Sequence, residues 1–228
     1  MVKSTLHTRP LLKGVFHLIA FIWYSISIPN FMAIMPPEHK YSLMIYLLAV
    51  IGNFGCSAMF HIIRWPASLH IYVQRVDHVM IFLKIAATYY ACVSTIVPDT
   101  HPLVLYTVLI GTILGIITRL WFTEAHKLII AIPYLIVGWA IILDPNALML
   151  IFQRTPMGFI MALIGGVSYT VGGIIYIIQN PQFCPAYIGY HEVFHIFSIV
   201  GTMSFTYCIF GYGLYVNHVD HVNPYSMN

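Results

Sequence analysis

Long apolar stretches alternate with short polar breaks along nearly the whole chain. A membrane-spanning helix needs roughly 20 mostly apolar residues, and most of these stretches reach that length. The breaks between them carry proline, charged residues or both, which end helices and favour turns. The pattern therefore predicts an all-α bundle of seven transmembrane helices, of which the fifth is the shortest. Their predicted ranges are 13–33, 42–63, 76–97, 102–122, 127–143, 157–178 and 191–215.

Composition supports a membrane protein and excludes a soluble one. Of the 228 residues, 60% are hydrophobic and only 7% are charged. A soluble domain carries about 25% charged residues, so lipid must solvate much of this surface. The net charge of +3 gives no reason to expect a nucleic-acid partner. No linker or low-complexity segment interrupts the chain, which predicts a single domain over residues 1–228.

The distribution of lysine and arginine predicts the orientation. Basic residues precede the first apolar stretch, as in a signal peptide, but the stretch is too long and lacks a clear cleavage site, so we expect a retained helix. With the N-terminus inside, seven basic residues fall on inner segments and two on outer ones, which is the usual bias. The prediction is an inner N-terminus, an outer C-terminus and a place in the plasma or inner membrane. The inner residues are Lys3, Arg9, Lys13, Arg64, Arg75, Arg119 and Lys127, and the outer ones are Lys40 and Arg154.

Four ionisable side chains are predicted at one depth of the bundle. His61 ends the second helix, Asp77 begins the third, and His191 and His195 begin the seventh. With an inner N-terminus, all of these helix ends lie in the inner leaflet. Ionisable groups inside a membrane are costly, so a cluster of them indicates a functional site.

The residue types in this cluster favour zinc. His191 and His195 are four apart and share a helical face, so both imidazoles can bind one ion. With His61 they supply three ligands and leave a fourth position open, which is typical of a catalytic zinc. Asp77 could then orient the metal-bound water and carry its proton, and Ser57, one turn before His61, could support a polarised carbonyl oxygen.

Two further histidines and one further motif have other interpretations. His17 and His126 are expected to be hydrogen-bonded packing residues. The segment from His191 to His195 also fits H-E-x-x-H, in which Glu192 would be the general base of a zinc protease. Such a protease needs a third ligand, and Asp144 is the nearest candidate. Asp144 lacks the expected neighbouring glycine and falls on the outer side. The protease interpretation also gives no role to His61 or Asp77.

Three motifs in order along the chain resemble those of the hemolysin III family, which belongs with the progestin and adipoQ receptors. They are Ser57-x3-His61, then Val76-Asp77-His78-x2-Ile81-Phe82-x2-Ile85-Ala86-x-Thr88-Tyr89, then His191-Glu192-x2-His195. The resemblance implies seven helices, an inner N-terminus and a zinc ion on His61, His191 and His195, with Ser57 and Asp77 beside the metal water. It also implies a function in membrane lipid chemistry, with a ceramide-like or fatty-acyl ligand. Bacterial members of the family are linked to membrane lipid homeostasis.

Two classes of function remain open at this stage. One is a zinc-dependent hydrolase of lipid amides, similar to a ceramidase. The other is a non-enzymatic receptor, sensor or cytolytic membrane protein in which zinc is structural. An open fourth metal position next to an aspartate favours the hydrolase.

Lys84 departs from the family pattern, which has an apolar residue there. It lies seven residues after Asp77 and therefore shares its helical face, about 10 Å deeper. One interpretation is a lysine that snorkels or pairs inside the bundle. The other is a cation that holds a fatty carboxylate.

Overall fold

The computed structural model describes residues 12–122, 127–184 and 186–222, with side chains as far as residue 212. Within those ranges the fold is all-helical, apart from one isolated β-bridge between Cys184 and Ile188. Short 3₁₀ helices precede α2 (Pro37–His39) and follow α5 (Ala140–Leu143). The eight α-helices are α1 Val15–Ile34, α2 Lys40–Ile62, α3 Ala67–Thr95, α4 Pro102–Trp121, α5 Lys127–Gly138, α6 Pro145–Arg154, α7 Pro156–Ile178 and α8 Tyr190–Val222.

Six of the helices are long and apolar enough to cross a membrane: α1 to α4, α7 and α8. The predicted fifth span is divided into the 12 residues of α5 and the 3₁₀ helix that follows. Two predicted boundaries were wrong. Helix α3 begins at Ala67, whereas the prediction began at residue 76. The prediction began too late because Gln74 and Arg75 lower the hydropathy, although neither residue breaks a helix. Helix α6 occupies what was predicted as a loop, and Asp144 caps its first turn.

Glycines bring α8 close to α7. A Cβ atom built on Gly165 would lie 2.8 Å from the ring of Phe205, and one on Gly172 would lie 3.0 Å from the Cβ of Phe197. The seven-residue spacing of these glycines puts both on the α8 side of α7, as small residues do at membrane helix contacts. The helix that carries His191 and His195 is therefore held against α7 along its length.

A hydroxyl junction joins α1, α2 and α8 inside the bundle. The Thr206 hydroxyl lies 2.8 Å from the hydroxyl of Tyr24 and 2.7 Å from that of Tyr46, and it donates to the carbonyl of Thr202. Tyr24 and Tyr46 are fully buried. Polar groups with no access to water need internal partners, so this junction fixes how α1 and α2 dock on α8.

Candidate metal centre

Three histidines from two helices meet at one end of the bundle. Nε2 of His61 lies 3.0 Å from Nε2 of His191, and one ring nitrogen from each of His61, His191 and His195 falls within 4.8 Å of the others. A tetrahedral zinc at its usual bond length holds its nitrogen ligands about 3.3 Å apart. The three histidines could therefore hold a zinc ion after small side-chain adjustments, and they are the residues for which the sequence predicts that role.

The local sequence explains why these histidines stand at helix ends. His61 lies in the last turn of α2, whose C-cap Ile63 is extended. His191 lies in the first turn of α8, where a carboxylate oxygen of Glu192 accepts the backbone N–H of Gly189 at 2.7 Å. This contact caps the start of the helix and fixes the direction in which His191 and His195 point.

Asp77 and Ser57 lie beside the three histidines. Oδ2 of Asp77 is 3.9 Å from Nε2 of His61, but Asp77 does not join the group of nitrogens that could share one ion. Because α3 begins earlier than predicted, Asp77 lies well inside that helix and not at its start. Asp77 and Ser57 are both buried and line the adjoining cavity. The carboxylate is thus close to the three histidines, called the metal group below, without being one of them.

A long, mostly apolar cavity of about 310 Å³ begins at this group. His191, His195 and Asp77 line one end of it, whereas His61 is not among its lining residues. One wall follows α3 from Asp77 to Val97, a distance of about 30 Å at 1.5 Å per residue. The opposite wall runs along α7 as far as Phe159. The cavity has the shape and apolar lining that an acyl chain requires.

His17 is closer to the site than the sequence suggested. Its ring stacks on that of His195 with centroids 3.8 Å apart, and it also lines the cavity. The ring is therefore a buried packing residue, as expected, but neither ring nitrogen makes the expected hydrogen bond to a described residue. His126 lies outside the described residues. No sequence signal places α1 against α8, which is why this contact was not predicted.

A second unpredicted contact joins α3 and α4 beside Asp77. Arg119, counted from the sequence as a charge at the membrane boundary, is only 1% exposed. Its guanidinium lies 3.0 Å from Nδ1 of His78, the residue after Asp77, and also donates to the carbonyl of Phe122. His78 lines the cavity, so Arg119 supports the wall next to the metal group.

The residues that the protease interpretation needs lie elsewhere. Glu192 is fully buried, caps the start of α8 and does not line the cavity. Asp144 lies at the start of α6, where its carboxylate accepts the backbone N–H of His101 at 2.7 Å and of Ala147 at 3.0 Å. These bonds favour the charged form and hold the pKa of Asp144 below its usual range. Both carboxylates therefore serve helix capping.

Comparisons with known proteins agree on one family. A family model described as "Haemolysin-III related" matches residues 5–206. The chain is 25% identical over 172 residues to the "Hemolysin-3 homolog" of Bacillus subtilis (strain 168), covering 75% of this chain and 76% of that protein. It is 28% identical over 163 residues to "Hemolysin-3" of Bacillus cereus, covering 69% and 68% respectively.

Proposed function

Since the chain belongs to the haemolysin-III related family, we propose that this multi-pass protein of the cell membrane is a zinc-dependent hydrolase of lipid amides of the ceramide type. Its role would be in membrane lipid homeostasis. The observation that carries the proposal is the convergence of His61, His191 and His195 next to Asp77, at one end of an acyl-sized cavity that His191, His195 and Asp77 line.

The ligand count favours catalysis over a purely structural ion. Three histidine nitrogens leave one position of a tetrahedral zinc for water or substrate. The described residues place no cysteine, glutamate or fourth histidine in the same group. A bound zinc ion would supply a Lewis acid and a water that is acidic enough to react near neutral pH.

The residues around that position have distinct roles in the proposed reaction. Asp77 accepts the proton of the attacking water, since its carboxylate lies within reach of the metal group and lines the cavity. Ser57 donates its hydroxyl hydrogen to the carbonyl oxygen of the scissile amide. The apolar walls hold the acyl chain and exclude bulk water, which strengthens these polar interactions.

We propose seven membrane crossings in total. Helix α5 and the 3₁₀ helix after it together reach about 26 Å, close to the roughly 30 Å of a bilayer core. Lys127 begins this segment and Asp144 follows it, so both ends are polar. The excess of lysine and arginine on one side then puts the N-terminus and the metal group inside and the C-terminus outside.

A cytolytic or receptor function is the second candidate, because the Bacillus cereus relative carries the name Hemolysin-3. In that case zinc would hold α2 to α8 and no lipid would be turned over. An intramembrane protease is disfavoured, since Glu192 and Asp144 bind backbone amides instead of facing the cavity.

The test is metal analysis of the purified protein, coupled to turnover of ceramide in the same preparation. We expect about one zinc per wild-type chain, and loss of zinc from His191→Ala and His195→Ala. His39→Ala is a matched control, because His39 lies in the 3₁₀ helix before α2 and away from the metal group. A wild-type protein without zinc would refute the metal site.

Turnover then separates the two candidates. The hydrolase proposal expects fatty acid release by the wild type and none by His191→Ala. Stoichiometric zinc without release of fatty acid from ceramide-like amides would favour the receptor or cytolytic function. Lysis of erythrocytes by the wild type and by His191→Ala would show whether lysis depends on zinc.

A further inference from the structure

Lys84 places an amino group inside the bundle, on the wall of the cavity. The side chain is only 3% exposed, so it does not snorkel to the membrane surface. Its Nζ donates a long hydrogen bond of 3.4 Å to the Thr202 hydroxyl. Two aromatic rings lie farther away, with Nζ 5.4 Å from the ring centre of Phe54 and 5.0 Å from that of Tyr169.

No carboxylate within the described part of the chain forms an ion pair with Lys84. Asp77, which shares its helical face, lies seven residues away, or about 10 Å along the axis. An ammonium has three N–H donors, and the described residues offer this one a single long hydrogen bond. A charge in an apolar region is expensive unless it is paired, so Lys84 has unused capacity for an anion.

The cavity beyond Lys84 is shaped for a chain. From Lys84 to Val97 it continues for about 20 Å along α3. Most walls of this outer part are aliphatic or aromatic and include Val93, Ile151 and Phe159. On the other side of Lys84, towards the metal group, apolar residues such as Ile81 also line the cavity, together with the polar side chains of Ser57 and Asp77. Lys84 therefore lies between the end that carries these polar groups and the outer, mostly apolar part.

We propose that Lys84 binds the carboxylate of a single-chain lipid whose hydrocarbon chain fills the outer, apolar part of the cavity. One carboxylate matches the single positive charge, whereas a doubly charged phosphate would leave an uncompensated charge in an apolar region. Tyr169 lines the cavity beside the ammonium, and its hydroxyl shares a hydrogen bond of 2.7 Å with that of Thr202. This site needs no metal and extends beyond the proposed hydrolase.

Binding of palmitate and of hexadecanol to the purified protein tests the proposal, because the two probes share a chain and differ in the head group. The wild type should bind palmitate at least about tenfold more tightly than hexadecanol, the size expected for a charged hydrogen bond. Lys84→Met should lose this preference and keep its affinity for hexadecanol. Lys40→Met, which changes a lysine outside the cavity, should behave as the wild type.

Two further variants keep the outcome decisive. Lys84→Arg retains the charge and should retain a preference for palmitate, which a purely structural role of Lys84 would not predict. His61→Ala should lose zinc but still bind palmitate more tightly than hexadecanol. This preference does not depend on zinc, so it should be seen even if the hydrolase proposal fails. Equal binding of the two probes by the wild type, or a preference that survives in Lys84→Met, would overturn the inference.

The source of the carboxylate can be separated in the same assay. Wild type and His61→Ala are incubated with N-palmitoyl ceramide, and bound palmitate is measured by mass spectrometry. Palmitate bound only by the wild type identifies the ligand as a hydrolysis product. If neither protein acquires palmitate from the ceramide, but both bind palmitate that is supplied as free fatty acid, the ligand is a fatty acid taken from the membrane.

Discussion

Gly14 couples the first helix to the metal group, and its substitution should weaken both. It precedes α1 with φ 84°, a left-handed conformation that costs a non-glycine residue roughly 1–2 kcal/mol. A Cβ atom built there would lie 2.8 Å from the Cβ of His61 and 3.3 Å from the carbonyl oxygen of Ala58. Neither atom can rotate away, so α1 and α2 would have to separate by about 1 Å to restore ordinary contact distances.

The size of the effect follows from these two terms. Overpacking of this kind costs about 1–3 kcal/mol, so with the backbone strain Gly14→Ala should lose about 2–5 kcal/mol of unfolding free energy. Because the displaced atom belongs to His61, zinc content should fall as well. The measurement is equilibrium unfolding in mixed micelles, with metal analysis of the same sample.

Two variants serve as controls for Gly14→Ala. Gly138→Ala adds a Cβ atom that meets nothing within 4 Å, so stability and zinc content should stay at the wild-type level. Gly14→Asn relieves part of the backbone strain, because asparagine tolerates positive φ, but keeps the contact with His61. It should therefore lie between the wild type and Gly14→Ala. A Gly14→Ala protein as stable and as zinc-rich as Gly138→Ala would refute this reasoning.

Three further substitutions test the site, the core and the pH response. Asp77→Asn should lower ceramide turnover by about 100-fold or more, while zinc content stays near the wild-type level. Equal losses of turnover and of zinc would make Asp77 a metal ligand instead of a base. Thr206→Val should cost about 1–2 kcal/mol, because the buried Tyr24 hydroxyl loses its partner and that of Tyr46 keeps only a 3.4 Å bond to the carbonyl of Thr202. Thr112→Val should be nearly neutral, since among the described residues that hydroxyl has no partner. Asp144 has a lowered pKa, so its stabilising bonds are complete above the usual aspartate range and are lost as the pH falls through the lowered pKa. Thermal stability should therefore drop in acid for the wild type but less so for Asp144→Asn, which is already weaker at pH 7.

The site was largely readable from the sequence because its signals are local. The i,i+4 spacing of His191 and His195 fixes their common face, and the lysine and arginine bias puts His61 near the same depth. The structure brings these three side chains together as expected. Metal analysis decides whether these side chains bind an ion and which ion it is.

What the sequence did not predict depends on which helices touch. His17 on α1 stacks on His195 of α8, and Arg119 on α4 reaches His78 on α3. Apolar periodicity does not encode the order of helices in a lipid-solvated bundle, since every face is apolar. Helix α6 was missed for another reason: it is short and amphipathic, so a search for long apolar stretches passes over it.

The hydroxyl junction at Thr206 has a consequence for how the protein is made. Tyr24 and Tyr46 lie on α1 and α2, but their shared partner lies on α8, the last of the described helices in chain order. Until α8 inserts, the two phenol groups lack that partner, and the contact between His61 and His191 cannot form. The described bundle is therefore complete only once α8 has inserted. A chain stalled before α8 would hold buried polar groups that membrane quality control can recognise.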